Sequence, residues 1–394
     1  MKKLFTLAAA GALTAASLGV KAQTQAPITV NGQLAASEVG VTGYQLVGRF
    51  TGPRGFGDAG LLALYAASDA NNLYFFVAGT LQTGPDLKNS IQLFIDRPGV
   101  DGVPVGTALP AVTTPTGTSF NGMTARLDLA ADLAVAIKGT NAANEARIEG
   151  VAYTSATAAT AQVLTGTTPL ALNGTAATVP ASSVSGALAG FAGAQVAYTT
   201  SANLSSNPGF STNGNAPSNG LEISVSRTAM GIPAVGGTVR IFAVQNNQDG
   251  DFLSTDFIPQ SNPPATAATN LGAASSVNFA NIPGTQAGTL VVTATTLTVL
   301  GNRKTDDARI AFRAYPNPLV DSNLKLDYTV ADRAQPVTIT VSDMVGRAVR
   351  TISRDKAAVG QHTAQIERTG LTAGTYMVRV QVGESASARK VVIF

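Results

Sequence analysis

Apolar and polar residues alternate in short runs along most of this chain, and the runs are punctuated by Gly, Pro, Asn and Asp. VTGYQLVGRF (residues 41–50), GLLALYAAS (60–68) and NLYFFVAGTL (72–81) open the series. SIQLFID (90–96) then runs into RPGVDG (97–102), a strand followed by a turn. In LEISVSR (221–227), Leu221, Ile223 and Val225 share one face while Glu222, Ser224 and Ser226 share the other. VRIFAVQ (239–245) and TLVVTATTLTVL (289–300) continue the pattern. Successive side chains of a strand point to opposite faces, so this period predicts half-buried strands with acids such as Glu222 turned to water. Residues 123–139 and 144–156 carry Ala and Leu at spacings a helix could also use. We read the first as two strands around DLAAD, pairing Leu127 with Leu129 and Val135 with Ile137. The Ala/Thr/Gly-rich stretch 156–183 predicts loops or irregular strands, since Thr, Gly and Pro weaken a helix there.

The pattern changes near residue 305. After the corner YPNP (315–318), Leu324, Leu326, Tyr328 and Val330 align, then Val337, Ile339 and Val341, then Tyr376, Val378, Val380 and Val382. About seven short strands with tight turns predict a small immunoglobulin-like β-sandwich. Charge shifts at the same place: residues 23–308 hold 11 basic and 16 acidic residues, whereas 309–394 hold 12 and 7. The fold class expected is therefore all-β. A large antiparallel β-sandwich cargo domain (23–300) with long loops is followed by a linker (301–308) and the small sandwich (309–394).

The amino terminus adds a destination. MKK, the apolar run LFTLAAAGALTAASLGV and KAQ read as a secretory signal peptide over residues 1–22, cut after Ala22. The run is short for a bilayer span, and no transmembrane anchor is expected. Loss of Lys2, Lys3 and Lys21 leaves 23 basic against 23 acidic residues, so the calculated pI of about 9.1 does not point to nucleic acid. Cysteine is absent, which removes disulfides, thiolate catalysis and cysteine-bound metals.

Four elements in order at the carboxyl end resemble the type A sorting domain of the Bacteroidota type IX secretion system. They are Tyr315-Pro316-Asn317-Pro318, then VSDMVGR with Asp343, Gly346 and Arg347, then LTAGTY with Gly374 and Tyr376, and a basic-aliphatic finish from Lys390. The resemblance implies a domain that outer-membrane secretion machinery reads as an address. It also implies a cargo that is released or attached to surface lipopolysaccharide. In the cargo, LYFFVAGTL, IQLFID, LEISVSRTAMG and VRIFAVQNNQDGDF resemble DOMON-like and family 9-like carbohydrate-binding β-sandwiches, which implies a glycan as a candidate ligand.

Candidate chemistry in the cargo is sparse. The only histidine, His362, falls in the terminal domain and reads as a strand-edge surface residue, so Ser-His-Asp and Cys-His sites cannot be assembled. No catalytic residue is assigned, although two well-placed carboxylates would suffice for a glycosidase. Calcium is the one candidate cofactor. Asp249, Asp251 and Asp256 in QNNQDGDFLSTD offer alternating oxygen ligands, and Asp96 with Asp101 form a second, weaker cluster. An Asp/Asn turn that satisfies its own backbone is the competing reading. Met123 and Met230 are the cargo methionines that could ligate haem, and a core role suits both. A non-catalytic surface protein is the function expected, with glycan binding and a two-carboxylate glycosidase as the alternatives.

Overall fold

The computed structural model describes residues 27–85, 88–260, 268–300, 310–330, 334–343, 347–383 and 385–394. The signal peptide (1–22), the linker (301–308) and Gly346 lie outside the described residues.

The strands of the first region follow the alternating runs closely. They begin with β1 (Gln33–Leu34), β2 (Gln45–Arg49), β3 (Gly60–Ser68), β4 (Asn72–Thr80) and β5 (Asn89–Asp96). After a long connection come β6 (Leu133–Gly139), β7 (Glu145–Ser155) and β8 (Ala158–Val163). Of the helix-compatible residues, 133–139 and 145–155 are thus strand, whereas Leu127 and Leu129 lie outside any strand, between the bridged residues Arg126 and Ala131. The Ala/Thr-rich stretch supplies β8 and the short β9 (Leu170–Ala171) and β10 (Ala177–Thr178). Then follow β11 (Gln195–Tyr198), β12 (Ser218–Ser226), β13 (Thr238–Asn247), β14 (Phe252–Ile258) and β15 (Asn270–Ala273). TLVVTATTLTVL divides into the hairpin β16 (Gly288–Val292) and β17 (Leu297–Leu300).

These strands make two antiparallel sheets. One runs β10-β11-β12-β4-β3-β2, with β1 added to β12. The other runs β15-β14-β13-β5-β6-β7-β8, with β16 and β17 added at β13 and β9 at β7. Leu61, Phe75, Val77, Leu221 and Ile223 of the first sheet pack with Ile91, Leu93, Val135, Ile137 and Ile241 of the second in one continuous core. This is a sandwich, but its central strands are not half-buried. Every residue of β3 and β6 is buried. Loops cover both outer faces. Val103, Leu109, Phe120, Met123 and Phe279 pack on Phe94, Tyr153 and Phe242 of the second sheet. Leu34, Tyr44 and Leu204 pack on Leu62, Tyr65 and Phe76 of the first. A register shift between Leu61 and Ala63 puts both Leu62 and Ala63 into that outer core.

The terminal region is a second sandwich. Its seven strands among the described residues are β18 (Arg313–Tyr315), β19 (Leu324–Val330), β20 (Gln335–Asp343), β21 (Ala348–Ala357), β22 (Gly360–Ile366), β23 (Gly374–Val382) and β24 (Ser385–Ile393). A three-stranded sheet, β18-β19-β22, faces a four-stranded sheet, β21-β20-β23-β24. The aligned Leu324, Leu326, Tyr328 and Val330 meet Val337, Ile339, Val341, Val378 and Val380 in a separate core. Among the described residues no helix is long and apolar enough to cross a membrane.

Candidate functional site

The terminal motifs come together although they are far apart in sequence. Asn317 Nδ2 donates to the Lys390 carbonyl at 2.8 Å, and the Val392 N–H donates to Asn317 Oδ1 at 3.0 Å. One side-chain amide thereby offers β24 the donor and acceptor that a neighbouring strand would. The backbone then takes over. Leu319 N–H donates to the Val392 carbonyl at 2.8 Å, and Phe394 N–H donates to the Leu319 carbonyl at 2.9 Å. Pro316 and Pro318, which follow cis peptide bonds, bring no N–H to this edge.

Asp343, Arg347 and Tyr376 each close a local turn. Arg347 donates from its backbone N–H to Asp343 Oδ1 at 3.0 Å and from Nε to Oδ2 at 3.1 Å, closing the β20–β21 hairpin. Tyr376 Oη donates to the Thr372 carbonyl at 2.9 Å, so the Tyr in LTAGTY ties the turn to the strand that Gly374 begins. His362 lies on the edge strand β22, half-buried and stacked on Tyr328 with ring centroids 5.5 Å apart.

Beside the Pro-Asn-Pro corner lies a cleft of about 800 Å³. Arg313, Tyr315, Asn317, Asp327, Arg389 and Lys390 line it, over a floor that includes the buried Phe312. The Arg389 guanidinium sits 6.0 Å from the Phe312 ring centroid. Both Asp327 oxygens are engaged: Tyr315 Oη donates to Oδ2 at 2.8 Å and Thr363 Oγ1 to Oδ1 at 2.8 Å. The hydrogen bond to Asp327 holds the Tyr315 hydroxyl above its ordinary pKa.

The acids of the large sandwich are placed differently from their sequence expectation. Glu222 is fully buried, not turned to water. It lies opposite Phe76 under the segment carrying Tyr44, and its carboxylate accepts from Asn31 N–H at 2.8 Å, Gly32 N–H at 2.9 Å and Tyr44 Oη at 2.7 Å. Burial raises its pKa to about 7 against those hydrogen bonds. Glu149 is also fully buried and accepts from Ser119 N–H at 2.8 Å and Ser119 Oγ at 2.7 Å, fastening the loop that covers the second sheet. Asp132 accepts from Arg97 Nε at 2.7 Å. Asp96, half-buried near Asp132, is raised to about 6, first by burial and then by that second carboxylate, against Arg240. Asp101 is exposed in the following loop.

The calcium candidates are not brought together as a group of three. Asp256 sits inside β14, fully buried, where its carboxylate accepts from Arg54 Nη1 at 2.9 Å, Leu61 N–H at 3.0 Å and Ser254 Oγ at 2.8 Å. Asp249 lies in the β13–β14 turn, 3.7 Å from the Lys138 ammonium. Asp251 accepts from Asn247 Nδ2 at 2.6 Å. Gly250, with φ of +80°, packs so closely that a Cβ would stand 2.1 Å from the Ser119 carbonyl. The glycine in QDGD therefore serves close approach of two loops. Among the described residues no cluster of three or more His, Cys, Asp or Glu could hold a metal ion. Met123 and Met230 are both buried in apolar cores.

Sequence reasoning missed Glu149 and Glu222 as structural acids. Glu149 carried a signal, because it shares its strand face with Val151 and Tyr153. Glu222 carried none, because its own face holds Ser224 and Ser226, and its apolar neighbours come from other strands.

Residues 313–394 match the family of secretion system C-terminal sorting domains. No curated protein matches the chain in sequence. Three solved structures show distant likeness. Red sea bream transglutaminase has 6% identity and a TM-score of 0.17, covering 89% of this chain and 31% of that one. Dimeric latent PorU from Porphyromonas gingivalis has 12% identity and a TM-score of 0.19, covering 89% and 34%. A putative beta-galactosidase from Bacteroides fragilis has 10% identity and a TM-score of 0.16, covering 81% and 32%. The chain spans about a third of each, and overlaps this loose carry no argument about activity.

Proposed function

We propose, for a chain whose C-terminal sorting domain directs it across the outer membrane to the cell surface or extracellular space, that the large N-terminal sandwich is a non-catalytic surface or matrix module. The observation that carries this reading is the use of its buried acids. Glu38, Asp132, Glu149, Glu222 and Asp256 each accept hydrogen bonds from donors of the fold itself. Four of them fasten a loop or an adjoining strand to a sheet, which is a structural use of carboxylates. The one histidine lies outside this region and cysteine is absent, so a nucleophile with an imidazole base has no source there. The purified chain is expected to release no sugar from a panel of polysaccharides. Turnover abolished by Asp96→Asn or Asp132→Asn would overturn the reading in favour of a two-carboxylate glycosidase.

Glycan binding is supported by one feature. Phe56 and Phe252 stack at 6.3 Å and 18°, with Phe252 39% exposed, beside Asp251 and Asn247. An exposed aromatic face flanked by amide and carboxylate groups suits the apolar face and hydroxyls of a sugar. A glycan array with the purified chain and Phe252→Ala tests it. Retained signal in the variant, or none in the parent, removes the platform.

A further inference from the structure

We infer that Lys138 and Asp249 are the site of an intramolecular isopeptide bond, a covalent tie between β6 and the β13–β14 turn on the outer face of the second sheet. Cysteine is absent from the chain, so a disulfide cannot make such a tie. The Lys138 ammonium stands 3.7 Å from Asp249 Oδ1. That is longer than the roughly 2.7–2.9 Å of a charged hydrogen bond and close to the roughly 3–3.5 Å of a near-attack pair. The hydrogen bond of the ammonium goes instead to the Gly117 carbonyl. Both partners are held where they stand. The Lys138 side chain is only 10% exposed, and the Asp249 carbonyl accepts from the Gly122 N–H at 2.7 Å. The next residue, Gly250, is pressed against the Ser119 carbonyl with no room for a Cβ, and Glu149 fastens Ser119 in turn. Holding two reacting groups in one fold makes their condensation intramolecular, with an effective molarity on the order of 10⁵–10⁸ M, which is what lets an amide form in water.

The surroundings favour the reaction. Burial lowers the Lys138 pKa, against the carboxylates of Glu149 and Asp249 and with the help of the Arg147 and Lys88 cations. A lysine desolvated beside other cations gives up its proton more readily and becomes a nucleophile. In the step itself the Nζ–Cγ bond forms and one Cγ–Oδ bond of Asp249 breaks. The leaving oxygen takes two of the three ammonium protons and departs as water, so nothing is oxidised or reduced and no co-reactant is consumed. The Asp249 side chain is 46% exposed, which gives that water a way out. The neutral amide then replaces an ammonium whose burial is unfavourable.

Tryptic peptide mapping of the purified full chain by mass spectrometry tests the bond. The folded chain is expected to yield residues 127–147, uncleaved at Lys138, joined to residues 241–303 in one branched peptide. That peptide should be lighter by one water than the sum of its two parts. Asp249→Ala changes a half-exposed side chain, and an unchanged circular dichroism spectrum checks its fold. In this variant the two segments should separate and trypsin should cut after Lys138. Lys138→Arg, which keeps the positive charge but not the amine, should likewise release 241–303 alone. Separate peptides from the parent would overturn the inference. So would a water lost within 241–303 alone, the mark of a succinimide at Asp249-Gly250, or a branched peptide that survives Asp249→Ala.

Discussion

Asp256→Asn distinguishes a structural carboxylate from a metal ligand. In the wild-type chain the Asp256 side chain is fully buried and accepts from Arg54 at 2.9 Å, Leu61 N–H at 3.0 Å and Ser254 at 2.8 Å. The substitution keeps the shape and one carbonyl acceptor but removes the counter-charge of Arg54, whose guanidinium also lies 4.2 Å from the Phe50 ring centroid. Breaking a buried pair by removing one partner costs about 3–5 kcal/mol. Arg54 is 22% exposed and can recruit water, which lowers the expectation to about 2–4 kcal/mol. For a sandwich of this size that corresponds to a fall in Tm of roughly 5–12 °C. Calorimetry on an ion-stripped chain, in chelator and in millimolar calcium, should show the same fall in both. A double-mutant cycle with Arg54→Met and Asp256→Leu should give a coupling of about 1–3 kcal/mol. A fall that appears only with calcium present would refute the structural assignment, as would a variant that melts like the parent.

Three further outcomes follow from the same geometry. Glu222 has a folded-state pKa of about 7 against a reference of 4.5, so its contribution to stability is full below 4.5 and is lost as pH rises through 7. Glu222→Gln should therefore flatten the dependence of Tm on pH between these values, and an unchanged slope would count against it. Arg227, 2% exposed, donates to the carbonyls of Asp69, Pro233, Ala234, Thr293 and Ala294 and so joins three turns at one end of the sandwich. Arg227→Met should cost about 3 kcal/mol or more and speed amide exchange around residues 293–296, and unchanged exchange there would disprove the clamp. Asn317→Ala removes both bonds to β24, so a loss of about 1 kcal/mol and faster proteolysis of the last strand are expected in limited digestion, with parent-like digestion as the contrary result.

Local pattern was enough to identify most strands, because side-chain alternation is a property of the strand alone. Leu221, Ile223 and Val225, or Val378, Val380 and Val382, point to a core whatever lies across it. The order of YPNP, VSDMVGR, LTAGTY and the last strand was likewise readable. The physical work of that motif was not, since Asn317 meets Lys390 across 73 positions. What alternation cannot report is whether a second layer covers the outer face. Loops 103–131 and 274–287 bury the far side of the second sheet, and the segment near Tyr44 buries that of the first. This turned Glu222 from an expected surface acid into a buried anchor. β14 escaped notice for the same reason. Ser254, Thr255 and Asp256 look like turn residues until Arg54, 202 positions earlier, supplies the charge that lets them be buried. Strand identity is thus encoded locally, by which side chains alternate. The fate of each polar residue on a strand was decided by tertiary structure, because desolvating a carboxylate is tolerable only where distant donors converge on it.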